Sequence, residues 1–243
     1  MIKQAYLQQV KCPEIELLKK GLTSKNIPWT LIPQKKLERN QISLDPSILV
    51  AGYVSFVHQA LRILMSEPPP TNDYPTCLES YLHRRVWQST LGSVESGLSE
   101  GLMGAVFVKP LTEKKFTGRV LYGDVSFYTN RSSKHTKVWC SDPVIWVSEY
   151  RVFVLNGQTV GIKHYSGDTS VLPNEETIQE MVSLMKGLKA YSLDVGVLEC
   201  GSTALVEFND CYSLGSYGLE SCFYTDMILA RWEELMLSVR SSI

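Results

Sequence analysis

ALVEFND, residues 204–210, reads as a β-strand that ends in polar residues. Side chains alternate faces along a strand, so Glu207 and Asn209 share one face and Phe208 points to the other. An acid and an amide two positions apart at a strand end offer oxygen atoms to a hard cation. Magnesium takes such ligands, keeps several waters and bridges to phosphates. Asp194, in SLDVGVL just upstream, belongs to the partner strand of a hairpin and can face the same cavity. A solvated strand face explains the local pattern equally simply.

EYRVFVLNG, residues 149–157, is the next informative stretch. Arg151 heads a nearly all-apolar run, the signature of an inner strand covered on both faces. Glu149 and Arg151 share a face opposite Tyr150. A charged pair there needs partners: either the two pair with each other, or Arg151 meets a phosphate. Asn156-Gly157 marks a tight hairpin turn into QTVGIKHYSG. Upstream, GAVFVKP is a strand closed by Lys109, whose ammonium either aims into a cleft or reaches solvent at the strand end.

Between and around these lie the remaining elements. CLESYLHRRVWQSTL, with Leu78, Leu82 and Val86 on one side, is expected to be a helix containing Arg84 and Arg85. EETIQEMVSLMKGLK is an amphipathic helix with Ile178, Met181, Met185 and Leu188 aligned. A helix around TDMILARWEELMLSV ends the sequence. The first seventy residues read as a small α/β unit. QAYLQQV is a strand, PEIELLKKGL a helix buried through Ile15, Leu18 and Leu22, and IPWTLIP a short strand between prolines. SILVAG ends at Gly52, and a helix with Val54, Val57, Leu61 and Leu64 in line follows. SEPPPTNDYP, residues 66–75, cannot continue a helix and marks a boundary. The expected division is residues 1–72 and 73–243.

The chain has 243 residues, 44% apolar and 20% charged, with a formal net charge of -1. That composition is ordinary for a globular protein, and the charge gives nucleic-acid binding no support. No stretch is long and apolar enough to span a bilayer, and the N-terminus reads as no signal peptide. The six cysteines form no CxxC and no zinc spacing, which suits reduced thiols in the cytoplasm. The four histidines, His58, His83, His135 and His164, suggest structural or exposed positions.

The order of these motifs is more informative than any one of them. A strand with lysine, a polar glycine turn, a strand ending in a polar hinge, EYRVFVLNG, a helix, SLDVGVL and VEFND follow one another. That order resembles the catalytic core of ATP-grasp enzymes over about residues 76–240, RimK-type members in particular. It is most similar to the compact clade named for two arginines and a lysine, through VFVKP…FTG, SEYRVFV and ND-YSLGSYG. The Gly52 unit resembles the small Rossmann-like domain that precedes the ATP-grasp domain. The implied fold is α/β (α+β).

The resemblance also implies roles. Lys109 corresponds to a lysine at the α-phosphate and adenine edge, and Thr117 and Gly118 to the flap over the phosphates. Trp139, Cys140 and Ser141 resemble a hinge whose backbone reads adenine, with Asp142 at the ribose. Arg151 corresponds to a phosphate-contacting arginine, and Lys109 and Arg151 to the catalytic cations. Asp194, Glu207 and Asn209 match ligands of Mg2+ or, in its place, Mn2+. Arg85 is assigned to the basic residue before the first core strand.

The implied chemistry is ATP-dependent ligation. A carboxylate becomes an acylphosphate, and an amine displaces phosphate to form an amide; the substrate is a peptide, a protein or an amino compound. A non-catalytic nucleotide- or protein-binding module and a phosphotransferase are the alternatives, and an oligomer is left open. The flap KKFTGR is short. Asp210 follows Asn209 where many members carry a small residue, making the site more acidic or facing a substrate amine. Lys163, Tyr212, Ser213, Ser216 and Tyr217 are acceptor-end candidates. The turn RSSKHTK (Arg131, Lys134, His135, Lys137) either meets an acidic ligand or is solvated.

Overall fold

The computed structural model describes residues 2–64, 67–111, 116–123 and 133–240, with side chains to residue 237. The chain begins β1 (Gln4–Gln8), α1 (Pro13–Ser24), β2 (Trp29–Ile32), α2 (Gln34–Glu38), β3 (Ile48–Ala51) and α3 (Val54–Ile63). The three strands form a parallel sheet in the order β2-β1-β3. Parallel neighbours require crossovers, and the segments containing α1 and α2 supply them. Pro13 opens α1, where its missing N–H leaves nothing unsatisfied. Ile15, Leu18 and Leu22 are buried as their spacing predicts. In α3 the buried set is Phe56, Val57, Ala60 and Leu61, whereas Val54 at the first turn is 40% exposed. The expected Val54 stripe is therefore rotated toward Phe56.

After the proline-rich segment, Thr76–Tyr81 form a 3-10 turn, followed by β4 (Val86–Thr90) and α4 (Leu91–Ser99). This corrects the helix expected over CLESYLHRRVWQSTL. His83 sits at φ +49, a left-handed conformation that ends helical winding. Val86–Thr90 then pairs antiparallel with a later strand. β5 (Val106–Pro110), β6 (Arg119–Leu121) and β7 (Lys137–Ser141) complete an antiparallel sheet in the order β4-β7-β5-β6. Arg131 of the basic turn and Lys114 and Lys115 of the KKFTGR flap lie outside the described residues.

The larger antiparallel sheet runs β11-β10-β8-β9. β8 (Trp146–Leu155) and β9 (Gln158–Gly167) join through Asn156 and Gly157 at φ +50 and +74, the geometry an Asn-Gly hairpin demands. β8 lies inside the sheet, and Arg151 through Val154 are all buried. α5 (Glu175–Leu184) is capped by Asn174, whose side chain accepts from the Thr177 N–H. It stops at Leu184, so Met185 and Leu188 pack against the core from beyond its end rather than along it. β10 (Ala190–Leu198) and β11 (Thr203–Asp210) form the last hairpin, and α6 (Ser221–Arg240) closes the chain.

The first unit does not close its own core. Leu7, Leu22, Leu49, Phe56 and Leu61 pack in one cluster with Phe153, Cys211, Met227 and Trp232. All six cysteines are free thiols. Among the described residues no helix is long and apolar enough to cross a membrane.

Candidate functional site

The register of the large sheet assembles a row of charges. Asp194 on β10 lies opposite Arg151 on β8 and opposite Glu207 on β11, and Lys163 on β9 lies beyond Arg151. Nε and Nη2 of Arg151 donate to the two carboxylate oxygens of Asp194 at 2.7 Å each, with both side chains buried. This bidentate pair corrects the first expectation for Arg151: Glu149 is not its partner, but accepts instead from the Tyr165 hydroxyl at 3.1 Å. Asn209 Nδ2 donates to Asp194 at 3.3 Å. Burial pushes the Asp194 carboxyl above the ordinary carboxylate range, with Arg151 opposing that push.

Pairing shifts between Asp194 and Val195, so Glu207 lies opposite the first and Leu205 opposite the second, leaving Val206 as the extra residue. A bulge of this kind re-aims side chains and frees ladder carbonyls. Arg84 takes up the freed groups. Its Nη1 donates to Leu205 O at 2.7 Å and to Leu82 O at 2.9 Å, and its Nη2 to Val206 O at 3.0 Å. Its guanidinium lies 5.1 Å from the Trp146 ring centre and 5.8 Å from that of Tyr74. Burial lowers its pKa, with Tyr74 acting the other way.

Lys109 joins the two antiparallel sheets. Its ammonium lies 2.6 Å from Glu207 and 2.8 Å from Asp73, and 4.6 Å from the centre of the Tyr74 ring. Burial pulls its pKa down, but Glu207, Tyr74 and Asp73 outweigh burial and raise it. The converse holds at Glu207: burial pushes it up, Lys109 prevails, and it sits below its ordinary value. The backbone of Asp73 is pinned too, accepting from Phe208 N at 2.8 Å.

Beside these groups lies a cleft of about 450 Å³ lined by Glu149, Arg151, Tyr165, Asp194, Glu207 and Asn209, among others. The loop after β11 closes one end. Gly215 O accepts from Arg151 Nη1 at 3.4 Å, and the Tyr217 ring lies 4.5 Å from the guanidinium.

Of the acceptor-end candidates, Ser213 and Tyr217 line the cleft. Ser213 also donates to Gly52 O at 2.8 Å. Ser216 turns away and donates through N and Oγ to Glu14, both at 3.0 Å. Tyr212 pairs with His58 at 2.9 Å. Asp210 corrects its own expectation: it forms a bidentate pair with Arg231 at 2.7 Å, leaving the substrate-amine role without support.

In the smaller sheet, Lys109 and Trp139 are cross-strand partners. β7 is hydrogen-bonded into the sheet on both sides, so the backbone of Trp139 and Cys140 has no free edge with which to read adenine. The chain leaves the ladder at Asp142. That residue and Arg85 pair with each other at 3.2 Å near the surface, which corrects the placement of Arg85: its neighbour Arg84 is the buried one. Thr117 is exposed, and Gly118 packs so closely that an added Cβ would lie 2.6 Å from Phe107 and 3.3 Å from Lys109 Cβ.

Asp73, Tyr74, Arg84 and Tyr165 were absent from the sequence-derived set. An acid and an aromatic followed by proline at the end of the turn-rich segment were the available signal for the first two.

Asp194, Glu207 and Asn209 fit a hard divalent cation by donor chemistry, as two carboxylates and an amide oxygen on paired strands. Among the described residues no group of three or more His, Cys, Asp or Glu forms a cation cage.

No curated protein matches the chain. Among the solved structures that share its fold are the following. One is the ATP-grasp ligase PsnB complexed with minimal precursor, Mg and ADP (10% identity, TM-score 0.55, covering 95% of this chain and 97% of that one). Another is a RimK domain ATP-grasp protein from Sphaerobacter thermophilus DSM 20745 (16%, 0.55, 93% and 99%). The third is D-alanine–D-alanine ligase from Bacillus anthracis (13%, 0.55, 100% and 99%). A family model for an ATP-grasp domain, the second family of the clade named for two arginines and a lysine, matches residues 81–227, more than half of the sequence, and the chain belongs to that family.

Proposed function

We infer that the protein is an ATP- and magnesium-dependent ligase that joins a carboxylate to an amine through an acylphosphate. The observation that carries this reading is the row Arg151–Asp194–Glu207 meeting Lys109 from the other sheet. Phosphoryl transfer demands positioned cations and acids more than a side-chain nucleophile. Lys109 and Arg151 would neutralise charge on the transferring oxygens. Asp194, Glu207 and Asn209 would hold Mg2+, or Mn2+ in its place, with Glu207 kept anionic by Lys109 beside it. The bound ion would supply charge neutralisation at the phosphates.

Supporting the reading, one fold relative is a ligase with Mg and ADP bound and another joins two amino acids, as their names state. A peptide, protein or amino compound is the proposed substrate, and the cytoplasm the proposed location. The proposed division places a Rossmann-like unit over residues 1–72 ahead of the ATP-grasp domain at 73–243. Thr117 and Gly118 remain proposed for the flap, the segment Trp139, Cys140 and Ser141 for the adenine side of the cleft, and Asp142 for the ribose.

The test is incubation with magnesium, ATP and pooled amino acids and peptides, following ADP and product masses. A new mass corresponding to two components less water, with equimolar ADP, is expected. Absence of magnesium-dependent ATP binding by calorimetry would sink the ligase reading. Glu207→Gln should abolish turnover, and unchanged activity would reject its metal role.

A further inference from the structure

Most charges in the cleft are matched. Arg151 is held by Asp194, and Lys109 by Glu207 and Asp73. Glu149 is the exception. It lines the cleft two residues before Arg151, and among the described residues no cation lies within ion-pair distance of it. Its hydrogen-bond partner is the Tyr165 hydroxyl at 3.1 Å. Burial and the surrounding carboxylates suppress ionisation of that phenol, so it stays a neutral donor and adds no charge. One phenol bond leaves most of the carboxylate's acceptor capacity unspent.

Tyr165 touches this carboxylate, and Tyr217 lines the same cleft beside Tyr165. Tyr165 and Tyr217 lie 5.3 Å apart, centre to centre, with planes tilted by 44°. Tyr217 is held in place at some conformational expense. Its φ is +42, unusual for a bulky residue, and Gly218 follows at +80. The ring comes down because position 215 has no side chain: a Cβ there would lie 3.0 Å from Tyr217 and 3.3 Å from Arg151 Nη1. Tyr217 remains 47% exposed, and its ring also lies 4.5 Å from the Arg151 guanidinium. A carboxylate with spare acceptors beside aromatic rings is the chemistry that recognises a compact cation with several N–H donors.

We propose that Glu149, Tyr165 and Tyr217 form a subsite for a primary ammonium group, the acceptor amine of the ligation in its cationic form. The word acceptor rests on the ligase reading; the binding of an ammonium does not. Lys163, across from Arg151 on β9, is the residue through which an anion would compete for this end of the cleft.

The test labels the full chain with fluorotyrosine and follows the fluorine resonances of Tyr165 and Tyr217, assigned with Tyr165→Phe and Tyr217→Phe. The probes are n-propylammonium, n-propanol and propionate. The ammonium is expected to shift both resonances saturably, and the alcohol not to saturate. Glu149→Gln should weaken ammonium binding at least about tenfold. Saturation by propionate in place of the ammonium, or an unchanged titration in Glu149→Gln, overturns the proposal. Should Glu149→Gln fail to fold by circular dichroism, Tyr217→Leu carries the same comparison, with the same weakening expected. Magnesium–ATP calorimetry on the same samples separates the two ideas. Ammonium binding without ATP binding removes the ligase reading and keeps the subsite. ATP binding without ammonium binding does the reverse.

Discussion

The cleft contains two strong ion contacts built in different ways. Arg151 and Asp194 sit on adjacent strands of one sheet, so strand register fixes their distance. Lys109 and Glu207 sit on different sheets, so their distance depends on how those sheets approach each other. The first pair is deeply buried, with side chains 8% and 4% exposed, whereas Glu207 and Asp73 keep 31% and 24%. The pair within the sheet is fixed by register, and the pair between sheets is the one that, on the ligase reading, a phosphate group would displace.

The largest effect expected from this contrast is on stability. Arg151→Ala strands a buried carboxylate and should destabilise the fold by about 3–5 kcal/mol in urea unfolding. A loss below about 1 kcal/mol would erase the distinction between the two contacts. Lys109→Met should cost only about 1–2 kcal/mol, because its carboxylate partners reach solvent. The same substitution should weaken magnesium–ATP binding by calorimetry about tenfold or more. Equal stability losses in the two variants would make Lys109 a structural residue as well.

Acid separates the two contacts further. Glu207 sits below its ordinary pKa of 4.5, so its contribution is present above that pH and lost as pH falls through the lower folded value. Asp194 is shifted the other way, upward, by burial against the pull of Arg151. The urea midpoint of Glu207→Gln should therefore fall less steeply than wild type below about pH 4.5. Parallel pH profiles would contradict the assignment. The smallest effect is expected at Gly118→Ala: the new methyl group presses on Phe107 and Lys109, giving a modest loss of nucleotide affinity with the urea midpoint nearly unchanged.

Much of this arrangement was readable from local pattern. The inner position of β8, the Asn156-Gly157 hairpin and the shared face of Glu207 and Asn209 follow from two-residue alternation and turn chemistry. Partners were not readable, because they depend on register. Nothing in EYRVFVLNG says that Asp194 rather than Glu149 will stand opposite Arg151. The bulge at Val206 is equally silent in the sequence, and with it the role of Arg84, which completes a carbonyl pattern that exists only once β11 is paired. Helical spacing of Leu78, Leu82 and Val86 misled because the left-handed turn at His83 and the sheet pairing of Val86–Thr90 override it.

The loop carrying Tyr217 is tied to the first unit by Glu14 at Ser216 and by the Gly52 carbonyl at Ser213. The opening residues thus serve as a jig for the end of the cleft assigned to the acceptor. In a chimera, a foreign opening unit would have to be exchanged together with residues 211–218, as matched halves of one fitting. On the ligase reading, drift at Glu14 would be felt first as a change in which amine is accepted.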